Sequence, residues 1–235
     1  VKILSITPGK SNTDSLEVIV PAIDLIPTWY KKSKSTMGNR DTYLDINEKG
    51  SLNATYKKCM PLFDAMTIGY MFVLGCDIEV AKDVDGNTRF LWVDNDHMVS
   101  RHSEEQVEGF PIPKEYVVFP FKFENKLIFN TPKNTSMLFI NPINRLDLPF
   151  TTIGGVVETD RYSMEVNFPF LIKKDFTGII EKGTPIIQMI PFERHIWKRK
   201  YLKYDADKIT KARKEYRTII RRPYKKLFWI RKEYN

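Results

Sequence analysis

Cysteine is nearly absent from this chain: its 235 residues include two, Cys59 and Cys76. Two cysteines make neither a disulfide framework nor a four-ligand zinc site. They read as reduced, half-buried thiols. Histidine is as scarce, with three residues. His97 and His102 stand five apart, whereas zinc-binding helices use a spacing of four. Asp94, Asp96, Glu104 and Glu105 would complete a site only in a loop folded around a metal, so the pair reads as surface histidines. His195 sits beside a basic run with no cysteine nearby, and neither a Ser-His-Asp nor a Cys-His arrangement can be assembled. Long apolar runs are also missing. The nearest, Met66–Cys76, is interrupted by Gly69 and Gly75 and falls far short of the roughly 18 residues of a membrane span. No membrane partner is expected. The N-terminal VKILSITPGK lacks a long apolar segment with a small-residue cleavage site, so no signal peptide is expected. No catalytic motif is complete, and no catalytic residue, metal or cofactor is assigned.

What the chain does contain is a run of short strands. Ser136–Ile140, Thr152–Glu158, Ser163–Phe168, Phe176–Ile180 and Pro185–Ile190 are apolar or β-branched, each bounded by Pro, Gly, Asn or Asp. Tyr116–Phe123 and Lys126–Phe129 precede them, with Pro120 marking an edge or bend. Leu16–Val20 reads as an early strand. Asp77–Val80 and Thr88–Val93 read as a hairpin around Asp83-Val-Asp-Gly-Asn87. That turn shares Asp-x-Asp with calcium loops but lacks the later bidentate acid. Gly9-Lys10-Ser11 matches the end of a phosphate-binding loop, yet the leading glycine would fall at Leu4, so it reads as a turn. Strands at this spacing favour an antiparallel sandwich or barrel over βαβ units.

Helices flank the strands. Lys57–Leu74 carries Cys59, Leu62, Phe63, Met66, Tyr70 and Val73 at near-helical spacing, with Pro61 in the first turn. Tyr201–Ile220 places Ile209, Ala212, Tyr216 and Ile219 on one stripe behind a capping Asp205, and Pro223 ends it. Pro21 and Pro27 prevent a regular helix through Pro21–Lys32, whose Trp29 and Tyr30 suit packing against a core or an aromatic ligand platform. Lys31–Gly50 reads as a loop.

Charge divides the chain. The net is +8, but residues 198–235 hold fifteen Lys/Arg and four Asp/Glu, so the first 197 residues carry −3. The expected organisation is a β-rich domain over residues 1–197 and a basic, aromatic helix and arm over 198–235. In the arm Trp197, Arg199, Tyr201, Arg213, Arg217, Arg221, Arg222, Tyr224, Phe228 and Trp229 are candidate partner contacts. Lys/Arg neutralise phosphates and aromatics stack on bases, while the same aromatics suit a protein interface. Inside the strand block Asp160 and Arg161, with Glu158 and Glu165, form the densest polar cluster, which reads as an exposed strand end or turn with ion pairs. Glu158, Asp160 and Arg161, with Gln188, the one polar residue in the run Ile186–Ile190, are alternatively a candidate rim for a small ligand.

Two resemblances follow. Ile-Pro-Thr-Trp-Tyr-Lys at Ile26–Lys31 and Gly-Thr-Pro-Ile-Ile-Gln-Met-Ile-Pro-Phe at Gly183–Phe192 resemble an uncharacterised family of phage and bacterial proteins, over most of residues 16–197. That resemblance implies an infected-cell or virion setting. The strand order from Asn144-Arg145 to Gln188 is similar to the β-clip fold of dUTP pyrophosphatases and dCTP deaminases. Their Gly-Arg-Ser-Ser phosphate segment is replaced here by Glu158-Thr-Asp-Arg-Tyr-Ser163. Their segment with the water-activating acid is replaced by Val166-Asn-Phe-Pro. The expectation is a mainly β sandwich or β-clip-like barrel with an N-terminal helix. It acts without catalysis, by assembly with other protein subunits. A diverged nucleotide-processing enzyme and a nucleic-acid-binding module are the alternatives.

Overall fold

A computed structural model describes residues 1–9, 18–35, 55–93, 98–103, 105–219 and 223–234. The chain forms two compact units, one of Val1–Leu25 with Gly69–Arg194, the other of Ile26–Ile68 with His195–Asn235. Among the described residues the first unit carries all the strands: β1 Ser5–Pro8, β2 Ile19–Pro21, β3 Tyr70–Val73, β4 Ile78–Lys82, β5 Thr88–Leu91, β6 Val99–Arg101, β7 Phe121–Phe123, β8 Leu127–Asn130, β9 Thr135–Ile140, β10 Phe150–Thr152, β11 Gly155–Val157, β12 Phe168–Ile172, β13 Gly178–Ile180 and β14 Pro185–Glu193. All pairings are antiparallel. They make a five-stranded sheet β11-β9-β14-β3-β2, a four-stranded sheet β10-β12-β7-β6, a three-stranded sheet β13-β4-β5 and the pair β1-β8. The expected mainly β, antiparallel class is what the chain adopts. Among the described residues no sheet closes into a barrel.

Phenylalanine joins the sheets. Phe168 of β12 packs edge-on against Phe72 of β3 and lies 5.6 Å from Phe139 of β9, which ties the two larger sheets face to face. Phe170, fully buried, stacks on Phe123 at 3.9 Å and meets Phe121, Phe150 and Phe90. Phe90 of β5 thereby brings the three-stranded sheet onto the same core. Alternation explains why: in β4 Ile78 and Val80 are buried while Glu79 is exposed, so one face is apolar and the other wet. β14 is central because its first five residues are buried; it pairs with β9 over six positions and with β3 past a bulge near Pro185. Gln188 within it is fully buried, and its Oε1 accepts the Ile143 N–H at 3.0 Å, which satisfies a group otherwise lost from water.

Several boundaries differ from expectation. The helix starting near Lys57 is a single 3₁₀ turn at Tyr56–Lys58 and then α2, Met60–Thr67. The chain leaves the helix at Ile68, extended at φ −74 and ψ 135, and turns at Gly69, whose φ is +75 and whose would-be Cβ would lie 2.1 Å from the Met189 carbonyl oxygen; Tyr70 and Val73 then belong to β3. The predicted strand Thr152–Glu158 is two strands, β10 and β11, broken at Ile153-Gly154. Ser163–Asn167 is not a strand; pairing resumes at Phe168 and runs on to Ile172. Pro169 tolerates this because it lies opposite Lys122 and uses only its carbonyl, which accepts the Ile153 N–H. Tyr116–Phe123 is strand only from Phe121, with Tyr116 in an isolated bridge to Lys173. The pair β1-β8 uses a first strand that the sequence pattern did not reveal. The Asp83–Asn87 hairpin turn forms as expected, with Gly86 at φ +78. Of the early strand, residues 16 and 17 lie outside the described residues, as do Lys10-Ser11, most of the Lys31–Gly50 loop, and Asp94, Asp96, His97 and Glu104.

The second unit is helical: α1 Thr28–Lys32, α2, α3 Ala206–Thr218 and α4 Pro223–Leu227. Pro27 precedes α1 and fixes its start. Tyr30 is buried, its hydroxyl donating to the Lys57 carbonyl at 3.2 Å and its ring near Trp29 and Phe63. Burial pushes the Tyr30 hydroxyl pKa up. Tyr30 is thus core, while Trp29 beside it is half-buried. Neither cysteine is in a disulfide; Cys59 is exposed and Cys76 half-buried.

Candidate partner-binding site

The expected partner contacts fall in the second unit. His195–Asp205 carries no helix or strand. Along it Ile196 is 93% exposed, Trp197 87%, Tyr201 88%, Leu202 78% and Tyr204 74%. Each such side chain gains roughly 1.5–3 kcal/mol on leaving water, so five in ten residues is a large unsatisfied apolar surface. Lys198, Arg199, Lys200 and Lys203 are interleaved with them, all exposed. Asp205 then caps α3, its Oδ1 accepting the Lys208 N–H at 2.9 Å, as the sequence indicated. Arg213 and Arg217 project from α3, which buries no residue.

The distal residues are differently placed. Phe228 stacks near Tyr216 and Tyr224, which holds α4 against α3. The Trp229 indole N–H donates to both oxygens of Asp64, at 2.9 and 3.1 Å, and Lys232 donates to the same carboxylate. Lys225 lies 4.9 Å from the Trp229 ring centroid. Tyr224, Phe228 and Trp229 are thus engaged with their own unit, while Trp197, Arg199 and Tyr201 face solvent. Arg221 and Arg222 lie outside the described residues. Asp64, 165 residues from Trp229, is the anchor that the sequence did not reveal. α4 was also missed: Pro223 does not merely end a helix but opens the next.

Of the candidate small-ligand rim, Glu158 and Arg161 lie close enough to the Asp160–Arg194 pair to act on it electrostatically. Asp160 and Gln188 are committed to the fold, while Glu158 and Arg161 are exposed. Asp160, its side chain 4% exposed, takes a forked ion pair from Arg194, with Nη1 on Oδ1 at 2.8 Å and Nη2 on Oδ2. Asn134, at φ 67, donates its backbone N–H to Asp160 Oδ2 at 2.8 Å and exchanges further bonds with the Arg194 backbone. Hydrogen bonds from Arg194, then from Asn134, hold the Asp160 carboxyl at a pKa of about 2. This cluster closes the ends of β9, β11 and β14.

Two other acidic or cationic features are described. Asp83 Oδ1 accepts the backbone N–H groups of Asp85 and Asn87, and Oδ2 accepts Arg89 Nε at 2.9 Å. The hydrogen bonds to Asn87 and Arg89 lower the Asp83 pKa, and the turn uses the carboxylate internally. Among the described residues no group of three His, Cys, Asp or Glu is placed to hold a metal ion. An open hollow of about 510 Å³ lies at the β5 and β6 edges, lined by Arg89, Phe90, Trp92, Ser100, Arg101 and Phe119. The Arg101 guanidinium lies 3.9 Å from the Phe119 ring centroid.

No protein-family model matches the chain, and no curated protein is similar to it in sequence. Among solved structures the chain is similar to a native dUTPase of EIAV, at 11% identity and a TM-score of 0.31, over 59% of this chain and 84% of that one. No helix of the described residues is long and apolar enough to cross a membrane.

Proposed function

We propose that this chain is a non-enzymatic assembly protein, in which a β-sandwich body carries a basic, aromatic segment that grips another protein subunit. The observation that carries this reading is the exposure of Ile196, Trp197, Tyr201, Leu202 and Tyr204 within ten residues. Folded chains rarely leave so large an apolar surface wet unless a partner covers it. The likeness of Ile26–Lys31 and Gly183–Phe192 to a phage protein family suggests a virion or infected cell as the setting. A nucleotide-processing role has less support. Asp160, one of two acids within the replaced phosphate segment, is ion-paired and strongly acidic, which makes it a poor general base.

A second reading is favoured by the fifteen Lys/Arg of residues 198–235: the same segment binds single-stranded nucleic acid, with cations on phosphates and aromatics on bases. The experiment that separates the two uses the full chain and the variant Trp197→Ser/Tyr201→Ser/Leu202→Ser. Assembly predicts a multimer by light scattering that the variant reduces to monomer, with weak and unaltered affinity for a labelled oligonucleotide. A monomeric wild type whose tight, steeply salt-dependent oligonucleotide binding is lost in the variant favours the second reading.

A further inference from the structure

The three-stranded sheet offers the exposed segment a complementary face. Ile78, Val80 and Ile180 of this sheet point into the core, so Glu79, Leu91 and Ile179 point away from it. Register places these three in one row, Ile179 opposite Glu79 and Glu79 opposite Leu91. Ile179 is 61% exposed and Leu91 53%. Directly opposed side chains on such a sheet touch, so the row is a short apolar strip with a carboxylate at its centre. Glu79 makes no ion pair among the described residues. Arg89, two residues along on β5, is already paired to Asp83. Exposed Asp77 and Glu181 flank the strip.

Charge points the same way. Residues 1–25 and 69–194 hold 15 Lys/Arg against 21 Asp/Glu, a net of −6. Residues 26–68 and 195–235 hold 22 against 8, a net of +14. The sheet face presents apolar side chains around an unpaired acid. Residues 196–204 present apolar side chains around four cations that make no ion pair among the described residues.

We propose that the Ile179–Glu79–Leu91 face of one copy receives residues 196–204 of a second copy. This rests on the assembly reading and names its partner as the chain itself. The two surfaces are different patches, so the contact is head-to-tail and builds a ring or an open filament unless two copies exchange segments reciprocally. Apolar contact supplies affinity, while Glu79 among Lys198, Arg199, Lys200 and Lys203 selects register and speeds encounter.

The test measures self-association of the full chain, Ile179→Ser, Glu79→Lys and the Trp197→Ser/Tyr201→Ser/Leu202→Ser variant, each first checked for an unchanged circular dichroism spectrum. Ile179→Ser and Glu79→Lys are each expected to weaken association about tenfold, as for loss of one well-buried contact. A photo-cross-linking residue at position 201, in a mixture of isotopically heavy and light chains, should join heavy to light at the β4, β5 or β13 peptides. The inference is overturned if both sheet variants associate within about twofold of wild type, or if the cross-links lie elsewhere, while the triple variant still dissociates. If the triple variant keeps the wild-type mass, or the wild type is monomeric, the assembly reading falls as well.

Discussion

The sheet unit and the segment His195–Asp205 of the other unit use aromatic side chains in opposite ways. In the sheet unit Phe123, Phe139, Phe150, Phe168 and Phe170 are at most 2% exposed and lie ring against ring. In the other unit Trp197, Tyr201 and Tyr204 are at least 74% exposed. The sheet unit is acidic and the other strongly basic. The lesson is that the same residue type holds one region together and leaves the other unfinished. Sequence neighbours alone do not decide: Phe121 and Phe123 flank Lys122 and are still buried, because strand alternation turns both rings to one face, whereas His195–Asp205 has no helix or strand to give its rings such a face.

The sharpest way to break this contrast is a core truncation. Phe170→Ala removes a ring packed against four others and should cost about 3–5 kcal/mol in urea unfolding. A loss under about 1 kcal/mol would mean that the sheets are not joined there. Next in size is Asp64→Ala, which strips the acceptor from Trp229 and the counter-ion from Lys232. It should cost about 1–2 kcal/mol and speed hydrogen exchange in α4, leaving the sheets protected.

Much of the sheet unit was legible because its signals are local. Short β-branched runs ended by Pro, Gly, Asn or Asp located β9, β13 and β14 to within a few residues, and Asp85-Gly86 located the β4–β5 turn. Where the reading failed, a distant residue decided. The chain leaves α2 at Ile68 and turns at Gly69, where the Met189 carbonyl, 120 residues on, leaves no room for a side chain. Ser163–Asn167 has strand-like alternation but no partner strand, whereas Pro169 sits in a strand because Lys122 lies opposite it. For the candidate site, the exposed segment was legible from its cations and aromatics. The engagement of Trp229 by Asp64 and of Asp160 by Arg194 was not, since no local pattern marks an ion pair between separated elements.

Asp160 gives a test by pH. Its folded-state pKa lies below the ordinary 3.8, at about 2. The stabilisation it provides is therefore fully present above about pH 4 and is lost as pH falls toward about 2. Asp160→Asn should flatten that part of the acid-unfolding curve; an unchanged slope would show that the pair with Arg194 does not persist in solution. The smallest expected effect on stability is that of Trp197→Ala, within about 0.5 kcal/mol of wild type, because this ring is 87% exposed among the described residues. A larger loss would place the ring inside the fold and end the contrast.

The most direct test of the central claim is the solution mass of the full chain beside its Trp197→Ser/Tyr201→Ser/Leu202→Ser variant, free of nucleic acid and across a range of salt concentrations. The account predicts a mass of several times the 27.6 kDa chain for the wild type and a folded monomer for the variant. Equal masses for the two proteins would contradict it.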